Sequence, residues 1–300
     1  MIYTVTFNPS LDYVVTLPAL DMGGINRAEA EHVYPGGKGV NVALVLGNLD
    51  IPAKMLGFIA GFTGREIERL VRVHGGDCDF IILDKGNSRI NLKISAEEET
   101  AVNGLGPSIP AAKLMELLQQ LDRLHDGDTL VLAGSIPADV PDDIYERILQ
   151  RLEGRSIKTV VDATGDLLLN VLKYKPFLIK PNKDELGDLF DIDVCSRDEI
   201  VEYGQRLQEM GARNVLVSLG GDGAILIAED GHVYYQTPPK GILVNSVGAG
   251  DSMVAGFLAG YEERGSLEEA LRMGICAGSA SAFQHWLATK QDILKALISL

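Results

Sequence analysis

The chain is poor in cysteine and in positive charge, and it has no long apolar run. Its three cysteines, Cys78, Cys195 and Cys276, are odd in number and widely spaced among 300 residues. They form neither a disulfide framework nor a zinc-ligand spacing, which fits a reducing compartment. Lys and Arg total 27 against 42 Asp and Glu, a formal net charge of −15. Duplex nucleic acid and anionic membranes both demand a basic face, so neither is an expected partner. Small phosphorylated ligands stay open, because a few local cations can outweigh the global field. No apolar stretch reaches transmembrane length, and Ile2–Phe7 reads as a strand rather than a signal peptide. The expected location is cytoplasmic. His32, His74, His125, His232 and His285 show no metal-ligand or catalytic-triad spacing. There is no internal repeat, low-complexity tract or long linker.

What is present is an ordinary globular composition, 46% hydrophobic and 23% charged. Three hundred residues suffice for one large α/β domain, expected here over residues 1–300. Strand-like apolar runs alternate with helical periodicity. Strands are predicted at Ile2–Phe7, Ala53–Phe58, Thr129–Leu132, Lys158–Val161, Phe177–Ile179 and Asn214–Ser218. Helices are predicted near 38–49, 64–74, 110–123, 141–153, 165–172, 183–190 and 197–211. That rhythm predicts an α/β fold with a mostly parallel sheet flanked by helices on both faces. A hairpin of Ala224–Ala228 and His232–Gln236 follows, then helices near 250–263, 267–284 and 290–298. Residues 11–34 and 88–104 break the rhythm with strands that lack intervening helices. They read either as a small β-sheet lid or as edge hairpins.

Gly248, Ala249 and Gly250 form a turn that runs into an apolar helical pattern, with Asp251 in its first turn. Small residues let backbone N–H groups approach an anion, and the helix N-terminus favours negative charge there. Asp251 beside such a cradle can take a proton from an attacking hydroxyl. The same residues also make a plain helix start. A second Gly-rich segment, Tyr34-Pro35-Gly36-Gly37-Lys38-Gly39-Val40-Asn41, also opens an apolar helix and carries a cation and an amide.

Lys180-Pro181-Asn182-Lys183-Asp184-Glu185-Leu186 follows a buried strand, where parallel sheets deliver residues to ligands. Asn182 and Glu185 share a helical face and could hold phosphate and hydrated Mg²⁺, or form a capping box. Ser218-Leu219-Gly220-Gly221-Asp222-Gly223 could wrap a nucleotide or simply turn into the hairpin. Ser135, after Ala133-Gly134, could meet a ligand or end a strand. Asp12 could accept sugar hydroxyls or sit solvated in a turn. Arg27, Lys38, Arg89 and Lys93 fall in or beside the two irregular segments and suggest an anionic substrate. A nicotinamide dehydrogenase would need Gly-x-Gly-x-x-Gly after the first strand, where Asn8-Pro9-Ser10 stands instead.

Gly36–Asn41, Lys180–Leu186, Ser218–Gly223 and Val247–Ser252, in that order, resemble the signatures of the ribokinase-like (PfkB) carbohydrate kinase family. The resemblance spans essentially the whole chain. Within the family the chain is similar to the phosphosugar branch. Thr4–Asp12, Tyr34–Gly39, Ser88–Ile94 and Asn103–Pro107 look closest to the 1-phosphofructokinases, whereas Lys38 is shared with tagatose-6-phosphate kinases.

The resemblance implies a ribokinase-like fold with a β-sheet lid, and transfer of the ATP γ-phosphoryl group to a sugar phosphate with Mg²⁺ bridging the ATP phosphates. It implies Asp251 as base, with the amides of Gly248, Ala249 and Gly250 facing the transferring group. Asp12, Gly37 and Asn41 would hold sugar hydroxyls. Arg27, Lys38, Arg89 and Lys93 would take the substrate phosphate, with Asn91 and Ser135 beside them. Lys180, Asn182, Ser218, Gly220, Gly221, Gly223, Gly250 and Ser279 would serve ATP, and Glu185 the metal. Fructose 1-phosphate is the expected acceptor. Tagatose 6-phosphate and fructose 6-phosphate are the alternatives, and a non-catalytic sugar-phosphate sensor is the other class. In relatives the lid often pairs with a second copy, which implies a homodimer.

Overall fold

The computed structural model describes all 300 residues. Its first strand, β1 (Ile2–Thr6), leads into the lid strands β2 (Ser10–Thr16) and β3 (Ala30–Gly36), and α1 (Lys38–Asn48) returns the chain to the main sheet. Next come β4 (Ala53–Ala60), α2 (Gly61–Val73) and β5 (Asp77–Leu83), then two more lid strands, β6 (Arg89–Ser95) and β7 (Glu99–Asn103). The central stretch alternates α3 (Ala111–Leu121), β8 (Thr129–Ala133), α4 (Ile144–Arg151), β9 (Lys158–Asp162), α5 (Gly165–Leu169), β10 (Leu178–Ile179), α6 (Lys183–Phe190), α7 (Arg197–Glu209) and β11 (Asn214–Ser218). The chain closes with β12 (Ala224–Ile227), β13 (Val233–Gln236), α8 (Ala249–Arg264), α9 (Leu267–Ala282) and α10 (Lys290–Ser299).

Nine strands form one sheet in the order β13-β12-β11-β10-β9-β8-β1-β4-β5. All neighbours from β5 to β11 are parallel, and only the β11-β12-β13 edge is antiparallel. Strands buried on both faces read as continuous apolar runs, and β8 (Thr-Leu-Val-Leu-Ala) is buried throughout. One face packs Val40, Leu44, Phe257, Leu271 and Ile293 of α1, α8, α9 and α10. The other packs Leu117, Ile148, Leu186 and Leu207 of α3, α4, α6 and α7. No helix is long and apolar enough to cross a membrane.

The irregular segments form a separate four-stranded sheet, β3-β2-β6-β7, so the lid reading holds and the edge-hairpin reading does not. β2 runs parallel to β6 and antiparallel to β3. Two features depart from the sequence expectation. β5 was not anticipated: it opens on Asp-Cys-Asp, and acidic residues are depleted in strands, but as the sheet edge it turns both Asp residues out to solvent. β3 also runs through Pro35 to Gly36, which β3 tolerates as an edge strand.

Strand order sets the place of the site. The chain builds outward from β1 through β4 to β5, then returns to lay β8 on the other side of β1. The carboxyl ends of the strands flanking such a reversal bound a ligand crevice.

Candidate active site

At that rim four elements bring together two carboxylates, two ammonium groups and an amide. β9 ends on Asp162, and β10 runs straight into Lys180. α1 begins with Lys38 and carries Asn41 one turn on, and α8 carries Asp251 in its first turn. Lys38 Nζ donates to Asp162 Oδ1 at 3.0 Å, and Lys180 Nζ lies 3.7 Å from Asp162 Oδ2. Asn41 Nδ2 donates to Asp251 Oδ2 at 2.8 Å. Asp162, Lys180 and Asp251 are only 1%, 5% and 7% exposed.

Burial and then the Asp162 charge push Asp251 up to about 6, against Asn41, Lys38 and Lys180, which favour its ionised form. Burial pulls the Lys38 ammonium down, but Asp162, Asp251 and Glu185 outweigh it and hold the group above the usual lysine range. A carboxylate so raised stays mostly ionised at neutral pH and is a stronger base than an ordinary one.

Two cavities open on either side of this cluster. The larger, about 910 Å³, is lined by Ser218, Gly220, Gly221, Ala249, Gly250 and Ser279, with Pro238, Met253 and Phe283 among its apolar walls. The smaller, about 260 Å³, is lined by Lys38, Arg89, Ser135 and Asn8. Arg89 Nε donates to the Asn8 carbonyl at 3.0 Å, and its terminal amino groups make no hydrogen bond within the protein.

At the start of α8 the Ala249 N–H, expected among the anion donors, is engaged by Ser246 O at 3.2 Å. The free amides are those of Gly248, Gly250 and Asp251, because the Ser252 N–H already closes the first turn onto Gly248 O. Lys180 reaches the same place: a Cβ added to Gly250 would lie 3.2 Å from its Nζ.

Several expected ligand residues are committed to one another. Asp12 accepts from Ser10 Oγ at 2.6 Å, Asn91 Nδ2 at 3.0 Å and Lys93 Nζ at 2.8 Å. Lys93 and Asn91 thus hold the lid floor rather than the small cationic cavity, and Lys93 is 13% exposed in its ion pair. Gly36 makes room for that network, since a Cβ there would lie 2.5 Å from the Asp12 carboxyl carbon. Gly37 is the N-cap of α1. Asn41, expected on sugar hydroxyls, donates one amide hydrogen bond to Asp251.

Asn182 and Glu185 form the capping box of α6: Glu185 N–H donates to Asn182 Oδ1 at 2.7 Å, and Asn182 N–H to Glu185 Oε2 at 2.8 Å. Gly223 closes the turn into β12 and is absent from the large cavity's lining. Arg27 sits exposed in the β2–β3 loop without a hydrogen bond or ion pair. Sequence reasoning missed Asp162 and Asn8. Asp162 closes a buried parallel strand, which is the positional signal that could have found it.

A model of the pfkB family carbohydrate kinases matches residues 5–292. The chain belongs to the pfkB family of carbohydrate kinases. It is similar to the 1-phosphofructokinase of Bacillus subtilis, 46% identical over 99% of this chain and 97% of that protein. It is 37% identical to the D-tagatose-1-phosphate kinase of Bacillus licheniformis, over 96% of this chain and 94% of that one. Among solved structures it resembles phosphofructokinase-2 from Escherichia coli in complex with substrates and products, at a TM-score of 0.94 and 29% identity, covering 99% of this chain and 98% of the other.

An ATP-dependent sugar kinase works with a divalent metal, and this rim suits one that arrives with the nucleotide. No group of three or more His, Cys, Asp or Glu could cage an ion. Asp162 Oδ2 is nevertheless buried without a hydrogen-bond partner, and Glu185 spends only one carboxylate oxygen on its cap. One or two carboxylates plus water is the provision typical of a phosphate-bound cation.

Asp251→Asn keeps the shape and removes the carboxylate that could take a proton. Its kcat is expected to fall at least about 100-fold in a steady-state assay. Because the folded pKa is raised, the charged carboxylate is unfavourable to folding above about pH 6, and that cost vanishes below 3.8, where folded and unfolded forms are both protonated. The variant is therefore expected to be at least as stable as the parent at pH 8 in thermal unfolding, with the difference closing on acidification. Near-normal turnover would remove Asp251 from the base role.

Proposed function

We propose that this pfkB kinase transfers the γ-phosphoryl group of ATP to the 6-hydroxyl of fructose 1-phosphate, giving fructose 1,6-bisphosphate and ADP. The observation that carries this reading is the Asp251 cluster between a nucleotide-sized cleft and a small cationic pocket. ATP occupies the large cleft, with its phosphates toward Gly248, Gly250 and Lys180. The acceptor's own phosphate occupies the small pocket, on Lys38, Arg89 and Ser135. The remaining lone pairs of Asp12 accept from sugar hydroxyls.

In the chemical step the 6-hydroxyl oxygen bonds to the γ-phosphorus as the bond to the β,γ-bridging oxygen breaks. Asp251 takes the hydroxyl proton. The free amides of Gly248, Gly250 and Asp251, with the Lys180 ammonium, meet the charge on the transferring group. Mg²⁺, when bound with ATP, neutralises phosphate charge, and Asp162 and Glu185 are the carboxylates suited to hold it, in part through water.

The two curated relatives named above carry 1-phosphate names, which favours a ketohexose 1-phosphate over the 6-phosphates and makes tagatose 1-phosphate the second reading. The cytoplasm, where ATP is abundant and free thiols persist, is the location this reading requires. We also infer a homodimer through the lid. Tyr13, Val15, Val33, Leu92, Ile94 and Val102 share one face by strand alternation and register, and Val33 and Val102 are exposed on it.

Coupled ADP-release assays with fructose 1-phosphate, tagatose 1-phosphate, tagatose 6-phosphate and fructose 6-phosphate test the substrate. The expected result is a kcat/KM at least about tenfold higher for fructose 1-phosphate, a margin of about 1.4 kcal/mol. A preference for either 6-phosphate overturns the placement of the acceptor phosphate. Arg89→Ala is expected to raise KM for the phosphosugar and leave KM for ATP unchanged; an ATP-only defect would assign Arg89 to the other ligand. Sedimentation should give a dimer for the parent and a monomer for Leu92→Glu, whereas a monomeric parent contradicts the lid interface.

A further inference from the structure

Helix α4 carries a hydroxyl that packing alone does not need. Tyr145 is completely buried, with its ring tilted against Phe7 at a centroid distance of 5.8 Å. A phenylalanine would fill that space, and a buried phenol is tolerated only where its O–H finds a partner. Tyr145 Oη donates to the carbonyl of Gly134 at 3.0 Å. Burial, and then the Asp162 charge, push the phenol far above its usual range, so it remains a donor at any working pH.

Gly134 is held from its other side as well. Its N–H donates to Asp162 O at 3.1 Å, extending the β8–β9 pairing by one residue. Its φ is +100°, a conformation open to glycine and strained for other residues. The next peptide is trans, so the Ser135 N–H points opposite to the Gly134 carbonyl. With that carbonyl fixed on Tyr145 in the core, the amide is turned outward. Neither the Ser135 N–H nor its hydroxyl bonds to the protein, and Ser135 lines the small cavity with Lys38 and Arg89.

We propose that Tyr145 is a positioning residue for the acceptor phosphate. By clamping the Gly134 carbonyl, it aims the Ser135 amide and hydroxyl at an anion held by Lys38 and Arg89. The inference rests on reading that cavity as the acceptor-phosphate pocket. Tyr145 touches no substrate and acts through the peptide it holds.

Tyr145→Phe removes one oxygen and keeps the ring. Its steady-state constants are measured beside those of Arg89→Ala, with fructose 1-phosphate as acceptor. The expected result is a KM for fructose 1-phosphate raised about 3- to 10-fold, the scale of one hydrogen bond, with KM for ATP within twofold and the unfolding temperature lowered by only a few degrees. An unchanged phosphosugar KM in Tyr145→Phe beside a raised one in Arg89→Ala overturns the positioning role and leaves the pocket reading intact. Unchanged values in both variants overturn the pocket reading, and the proposal with it. Equal rises in both substrates' KM mark a general structural role and likewise overturn it. Should Tyr145→Phe fail to fold, the parent protein decides: its Ser135 amide resonance is expected to shift on addition of fructose 1-phosphate, and an unmoved resonance overturns the proposal.

Discussion

The Asp251 carboxylate can be buried in its ionised form only because the Lys38 and Lys180 ammonium groups and the Asn41 amide stand around it. Alone, an ionised carboxylate in that setting would be far too costly and would simply stay protonated. Asp162 makes the matter worse, and Lys38, Lys180 and the Asn41 amide make it tolerable. These five side chains come from α1, β9, the end of β10 and α8, so the cluster forms only when all four elements dock. The balance leaves Asp251 at about 6, between a carboxylate too weak to take a proton and one too basic to be ionised.

The fold supplies this meeting point through its strand order. Reversal beside β1 opens the crevice, and the lid sheet is inserted in two pieces, β2 and β3 between β1 and α1 and β6 and β7 between β5 and α3, so that its inner face can overhang the same rim. The two cavities are thereby built from different parts of the chain. Arg197 and residues from Ser218 onward line the large cleft, whereas Asn8, Lys38, Arg89 and Ser135 line the small pocket. Lys38 belongs to both the pocket and the cluster, so an anion in the pocket and the Asp251 carboxylate are electrically linked at one ammonium group.

Much of this was legible in the sequence. The buried parallel strands announce themselves as unbroken apolar runs, and the two Gly-rich helix starts mark where anions can approach. What the sequence could not convey is which partner each polar residue chooses. Lys93 reads as a free cation until the lid register sets Asn91 opposite Asp12 and brings its ammonium onto that carboxylate. The hydrogen bond of Asn41 to Asp251 becomes visible only when α1 and α8 meet. Glu185 and Asn182 satisfy a local capping rule and a metal-site pattern equally well, and the structure fulfils the local rule without exhausting the second carboxylate oxygen. Asp162 and Tyr145 were passed over because one ends an apolar strand and the other sits in an amphipathic helix. Asp162 meets Lys38 from 124 residues away, and Tyr145 reaches from its helix to a turn 11 residues earlier, contacts that local pattern does not reveal.

The central claim is that the protein environment itself raises Asp251, before any substrate arrives. The most direct measurement is a ¹³C NMR titration of the Asp251 carboxyl carbon in the free protein, assigned by its disappearance in the Asp251→Asn variant. The account predicts a midpoint near 6. A midpoint near the ordinary aspartate value of 3.8 would contradict it, and would mean that the lysines and Asn41 fully offset burial and the Asp162 charge.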